Sequence, residues 1–143
     1  MNGGKGSAFV DTNILVYAFQ QTPDWRQSTA RKLVDQLVDE DRIRISTQVL
    51  QEFFVAVTRK ARTAAPVKEA LDHLEDFASW PLFLVDYDAI REAAMCSHHA
   101  MISFWDALLV VAASHSGAAT LYTEDLNEGQ EILGVRVVNP FRN

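Results

Sequence analysis

Ala8-Phe9-Val10-Asp11-Thr12-Asn13-Ile14-Leu15 is the stretch on which the reading of this chain turns. The run Ala8-Phe9-Val10 is short, apolar and of buried-strand type, and an acid with two polar neighbours closes it. Three further acids stand at comparable edges. Glu52 lies early in an apolar helical pattern, Asp106 opens the helix Ala107 to Ala113, and Asp125 follows Ala119-Thr120-Leu121-Tyr122-Thr123. In an open α/β sheet, ligands bind beyond the carboxyl ends of the strands. Four carboxylates gathered there would repel and raise one another's pKa values unless a cation such as Mg2+ or Mn2+ sat among them. The pattern therefore predicts a divalent metal site.

Working outward, Ile43-Arg44-Ile45 alternates as a second strand, Leu82 to Val85 follows Trp80-Pro81 as another, and Leu121-Tyr122 and Val135-Arg136-Val137-Val138 supply two more. Helical stretches lie between them. Thr22-Pro23 pairs a cap with Pro at the first helical position, ahead of an apolar face of Ala30, Leu33, Val34, Leu37 and Val38. A helix from Ser46 or Thr47 carries Leu50, Phe53, Phe54 and Val57 at core spacing. One after Pro66 is expected to bury Val67, Ala70, Leu71, Leu74 and Ala78, and one from about Asp88 to run through Ile90, Ala94 and His98. The last spans Ser103 to Gly117, where Gly is the favoured stop. Strands alternating with helices predict an α/β fold with a central parallel sheet of about five strands.

Composition sets the limits. With 143 residues, 48% hydrophobic and 22% charged, the chain is long enough to bury a core without staples and is neither disordered nor fibrous. Residues 1–6 read as a flexible N-terminal lead-in and 7–143 as a single domain. No apolar run is long enough to span a bilayer, and the start lacks a signal peptide's apolar stretch; a cytoplasmic protein is expected. Cys96, alone among apolar neighbours, reads as a core thiol. The net charge of −6 argues against a nucleic-acid partner only weakly. Setting the four site acids aside leaves 15 acids against 13 Lys and Arg, so local charge decides.

Each acid also has a structural reading. Asp11 can cap a helix beginning at Ile14. Asp106 stands three residues after Ser103 in a capping-box arrangement, which is compatible with a carboxylate turned outward near the positive helix end. Asp125 can be a turn residue. Glu52 is the hardest to explain structurally, because a carboxylate among Val49, Phe53, Val55 and Ala56 must reach water or pair with a cation.

The sequence Val10-Asp11-Thr12-Asn13-Ile14-Leu15-Val16-Tyr17-Ala18, with Glu52, Phe104-Trp105-Asp106-Ala107-Leu108-Leu109 and Tyr122-Thr123-Glu124-Asp125-Leu126, resembles the PIN-domain ribonucleases, and more narrowly the VapC-type toxins of bacterial toxin-antitoxin pairs. The resemblance runs from Phe9 to Phe141, including the closing Gly134-Val135-Arg136-Val137-Val138-Asn139-Pro140-Phe141. It implies a PIN-like three-layer fold with a central first strand. It implies an endoribonuclease whose Asp11, Glu52, Asp106 and Asp125 hold one or two Mg2+ or Mn2+ ions, supported by Thr12, Asn13 and Thr123. A cognate antitoxin protein as inhibitor and a homodimer are implied too. Glu124 is an additional carboxylate, read as a solvated side chain.

Arg59, Lys60 and Arg62 follow Glu52 on its helix, Arg59 two turns or about 10 Å further on, and suit an RNA phosphate track; a solvated helix end is the competing reading. Phe104 and Trp105 can stack on bases or join the core. His73, His98, His99 and His115 do not make a metal spacing with the acids and read as surface or edge residues. Other classes fit less well. An aspartate-based phosphotransferase of the haloacid dehalogenase kind expects a second Asp where Asn13 stands, and a receiver-like domain needs a late Lys, whereas none follows Lys68. A catalytically silent PIN-fold binding module is opposed by the intact acid set.

Overall fold

The computed structural model of the protein describes residues 6–20, 24–59 and 63–142, without the side chains of residues 64 and 65. The chain runs β1 (Ser7–Val10), α1 (Thr12–Phe19), α2 (Trp25–Asp39), β2 (Ile43–Ser46), α3 (Thr47–Thr58) and α4 (Ala64–Phe77). It continues through β3 (Leu82–Phe83), α5 (Tyr87–Ala100), α6 (Phe104–His115), β4 (Ala118–Tyr122), β5 (Glu131–Ile132) and β6 (Val135–Val138). The sheet order is β3-β2-β1-β4-β6-β5. Every pairing is parallel except β5 with β6.

From β1 the chain steps outward to β2 and β3, then crosses back to β4 on the other side of β1. Right-handed crossovers send helices to opposite faces when the direction reverses. Accordingly α1 packs on α2 and α3, and α3 on α4, while α5 packs on α6, giving three layers. Helix α6 is apolar on every side from Ala107 to Ala113 and all seven residues are buried, as a helix without a polar face must be. It touches β2, β4 and β6 and forms the core with Phe9, Val10, Ile14, Ile45 and Leu121.

Several expectations change. The sheet has six strands among the described residues, one more than expected, and the additional one is β5. Leu133 (φ 52°) and Gly134 (φ 78°) form the two-residue turn that folds β5 against β6; both residues left-handed is the type I′ hairpin geometry, but Leu at its first position hides the signal. β3 stops at Phe83 because the Val85 N–H donates to the Thr47 hydroxyl at 3.1 Å instead of continuing the ladder. On α5 the buried residues are Ala89, Ala93 and Cys96, and Ile90, Ala94 and His98 face outward. The small side chains let α5 lie close on α6, which displaces the stripe by one position. On α4, Leu71 and Ala78 are exposed; the inner face passes through Ala70, His73, Leu74 and Phe77, with the His73 ring stacked on Phe77 and near Phe19 and Phe53. His73 is thus packing material and not a surface residue. Val38, placed on the α2 core face, is exposed too. Thr22-Pro23 lies outside the described residues, and α2 begins at Trp25 behind Asp24, whose side chain accepts from Arg26 N at 2.8 Å. Burial pushes the Cys96 thiol pKa up, which suits a core thiol.

Candidate active site

The reversal of strand order falls between β1 and β4, and in parallel sheets that crevice is where ligands bind. Asp11 directly follows β1 and Thr123 directly follows β4. The register holds them together, since Val10 pairs with Tyr122 and Asp11 N donates to Tyr122 O at 3.0 Å. Asp11 is 3% exposed. Its Oδ1 accepts from Thr12 N at 2.6 Å and its Oδ2 from the Thr123 hydroxyl at 2.7 Å. It therefore caps α1 and lies in the crevice at once; the two readings describe the same side chain, and α1 starts at Thr12 and not at Ile14.

Thr12 turns its hydroxyl the other way, donating to Glu52 Oε1 at 3.0 Å. Asn13 donates to Asp125 Oδ2 at 3.2 Å, and Asp125 N donates to Thr123 Oγ1 at 3.1 Å. The Thr-Asn pair after β1 thus ties three acids that stand far apart in sequence. Burial pushes the Asp11 pKa up to about 7, with the hydrogen bonds from Thr123 and Thr12 opposing it and the charges of Asp125 and Glu52 adding to it. Asp125 is raised as well, by burial first and then by the charges of Asp106 and Glu124. Asp106 is therefore within electrostatic reach of Asp125. Its backbone N donates to the Ser103 hydroxyl at 3.0 Å, and no described residue hydrogen-bonds its carboxylate. Ser103 caps α6 without engaging the acid.

A cavity of about 660 Å³ opens over these groups, lined by Asp11, Glu52 and Asp125 together with Gln48, Arg59 and Trp105 among others. Lys60 and Arg62 lie outside the described residues; Arg59, exposed at the end of α3, is on the cavity wall. Gln48 was not singled out from the sequence. It is buried and its Nε2 donates to Glu52 Oε2 at 3.4 Å and to Trp105 O at 3.2 Å. Its place one turn before Glu52 on the same helix face was the available signal. Glu124 is not a solvated side chain: its Oε1 accepts from the Tyr17 hydroxyl at 2.7 Å and its Oε2 lies 3.6 Å from Arg26 Nε. Burial and the Glu124 carboxylate raise the Tyr17 pKa. Arg26 in turn lies over the rings of Trp25 and Tyr17.

The donors around the crevice are all oxygens, which suits a hard cation of the Mg2+ or Mn2+ kind. Asn13 Oδ1 and Gln48 Oε1 are buried acceptors without a hydrogen-bond partner, and a buried acceptor is costly to leave unpaired. Among the described residues, however, no three acidic, His or Cys side chains converge closely enough to hold an ion as they stand. His98, His99 and His115 stay away from the crevice, His115 Nε2 lying 2.7 Å from Glu92 Oε2.

A switch-point crevice with a buried acid behind strand one defines a class. The PIN domain family matches residues 8–127, and the chain belongs to that family. Nucleases of this family generally use a divalent metal. The fold is shared with a toxin-antitoxin complex from Klebsiella pneumoniae (TM-score 0.71, 18% identity, covering 96% of this chain and 100% of the other). It is shared also with FitAcB from Neisseria gonorrhoeae (0.67, 17%, 95% and 99%). Mycobacterium tuberculosis VapC20, a sarcin-ricin loop cleaving toxin, is similar as well (0.65, 22%, 91% and 99%). No curated protein sequence matches the chain. Among the described residues no single helix is long and apolar enough to cross a membrane.

Proposed function

We propose that the protein is a metal-dependent endoribonuclease toxin of the VapC type, acting in the cytoplasm and inhibited by a cognate antitoxin protein. The observation that carries this reading is the buried Asp11 carboxylate, hydrogen-bonded by Thr12 and Thr123 beside Glu52 and Asp125 in a PIN fold. Residues 7–143 act as one PIN unit, as a homodimer.

In this reading Asp11 and Asp106 are the principal ligands of one or two Mg2+ or Mn2+ ions, and Glu52 and Asp125 complete the set directly or through water. When bound, the ion supplies Lewis acidity, lowering the pKa of water from about 15.7 toward about 7 and stabilising charge on the leaving oxygen. Thr12, Asn13 and Thr123 keep the carboxylates in place through the hydrogen bonds described. Glu52 and Asp125 orient the attacking water in line with the bond to the leaving 3'-oxygen. Breaking that bond leaves a 3'-hydroxyl and a 5'-phosphate. Arg59, with Lys60 and Arg62, positions the strand by its phosphates. Incubation of the protein with RNA and Mn2+, with and without chelator, tests the reading: intact RNA under both conditions would return the chain to a catalytically silent binding module.

A further inference from the structure

Phe104 and Trp105 open α6 as neighbours but part company in the fold. Phe104 packs against the core; Trp105 is 62% exposed and lines the acidic cavity. Val55 of α3, 61% exposed, lines the same cavity. The crevice therefore combines an acidic floor with an apolar rim. The residue is tied to its surroundings at ring and backbone. Its ring meets Phe104 edge-on at 5.1 Å and 80°, and the backbone carbonyl of Trp105 accepts from Gln48 Nε2, the amide that also donates to Glu52. One buried side chain thus ties the Trp105 backbone at the start of α6 to a site acid, and Asp106 is the next residue along the chain.

We propose that Trp105 is the platform on which an unpaired RNA base stacks, beside the phosphate that the acids address. This inference rests on the nuclease reading and adds to it a substrate-positioning residue. In a cleft floored by carboxylates, charge attracts the strand poorly, whereas stacking on an indole is indifferent to charge and tolerant of sequence. A base inside a duplex has both faces covered and cannot reach the ring, so the recognised nucleotide is unstacked. Because Trp105 shares the cavity with Asp11, Glu52 and Asp125, the stacked base belongs to a nucleotide flanking the cut.

Steady-state cleavage of a single-stranded RNA oligonucleotide with Mn2+ tests this on wild type, Trp105→Phe and Trp105→Leu. Leu is expected to raise KM about tenfold, as loss of one base-aromatic stack does, with kcat within about threefold; Phe restores most of the loss. An RNA with an abasic site beside the cut should show the same KM penalty on wild type and no further penalty on Leu. A purely structural role would instead lower kcat and the melting temperature and ignore the abasic site. If the Leu variant keeps the wild-type KM, or wild type does not distinguish abasic from intact RNA, the inference is overturned and the exposed indole goes to a protein partner. A wild-type chain inert on all RNA overturns the nuclease reading and this inference together.

Discussion

The Thr123 hydroxyl donates to the buried Asp11 carboxylate at 2.7 Å across 112 residues of sequence. Parallel pairing of β1 with β4 makes this contact possible, since the residues that follow two register-matched strands emerge side by side. The same hydroxyl accepts from Asp125 N at 3.1 Å, so one threonine sets the positions of two acids.

The pH dependence of stability follows from Asp11. Its carboxyl has an ordinary pKa of 3.8 when exposed and about 7 in the fold. Between those values the folded chain keeps a proton that the unfolded chain has released. As far as this group is concerned, stability of the metal-free protein should therefore be at its full value below about pH 4 and fall as pH rises toward about 7, Asp125 acting in the same direction. Thermal melting in chelator from pH 4.5 to 8 should show this slope in wild type and a much weaker one in Asp11→Asn.

Divalent metal should reverse the trend. A cation that binds only the folded chain adds about 2.7 kcal/mol at a hundredfold excess over Kd, and it displaces the Asp11 proton, so its affinity should climb up to about pH 7. Titration calorimetry in two buffers of different ionisation enthalpy reads the released proton. Equal heats in both buffers at pH 6 would count against Asp11 as a ligand.

Ser103 and Asp106 should separate cleanly. Ser103→Ala removes the α6 cap and should cost about 1 kcal/mol of stability while cleavage persists. Asp106→Asn should abolish cleavage and leave metal-free stability unchanged or higher, because its carboxylate caps nothing. Near-wild-type cleavage by Asp106→Asn would remove it from the site.

Glu124 ties α1 and α2 to the loop that carries Asp125. Glu124→Ala should lower stability by about 1 kcal/mol, the net worth of a typical hydrogen bond, without changing Mn2+ affinity, and Glu124→Gln should restore most of it by keeping an acceptor for Tyr17. A tenfold drop in Mn2+ affinity for the Gln variant would instead make Glu124 a ligand.

Changing Arg59, Lys60 and Arg62 together to Gln should weaken RNA binding and flatten its salt dependence by about 0.7 per lost phosphate contact. Cleavage at saturating RNA should suffer less than affinity. Identical slopes for wild type and triple variant across a salt series would send the strand elsewhere.

The positions of β1, β2, β4 and β6, the starts of α3 and α6 and the placing of acids at element edges were legible in the sequence because each depends on local chemistry. A short apolar run marks β1 and alternating patterns mark β2 and β6, Ser46 and Ser103 are side-chain caps, and Gly117 takes a left-handed stop at φ 73°. The match of acids to strand and helix edges carried the family as well. Which face each helix buries was not local. The inner face of α5 is set by how closely its alanines let it approach α6, and that of α4 by the Phe19, Phe53 and Phe77 cluster, neither of which a periodicity reveals. Tertiary structure alone also decided that Glu124 is held by Tyr17 and Arg26, that Gln48 bridges Glu52 and Trp105, and that Trp105 rather than Phe104 faces the crevice. The physical reason is the same throughout: caps and strand runs are satisfied within a few residues, whereas a buried polar or aromatic group takes its partner from whatever the topology brings beside it.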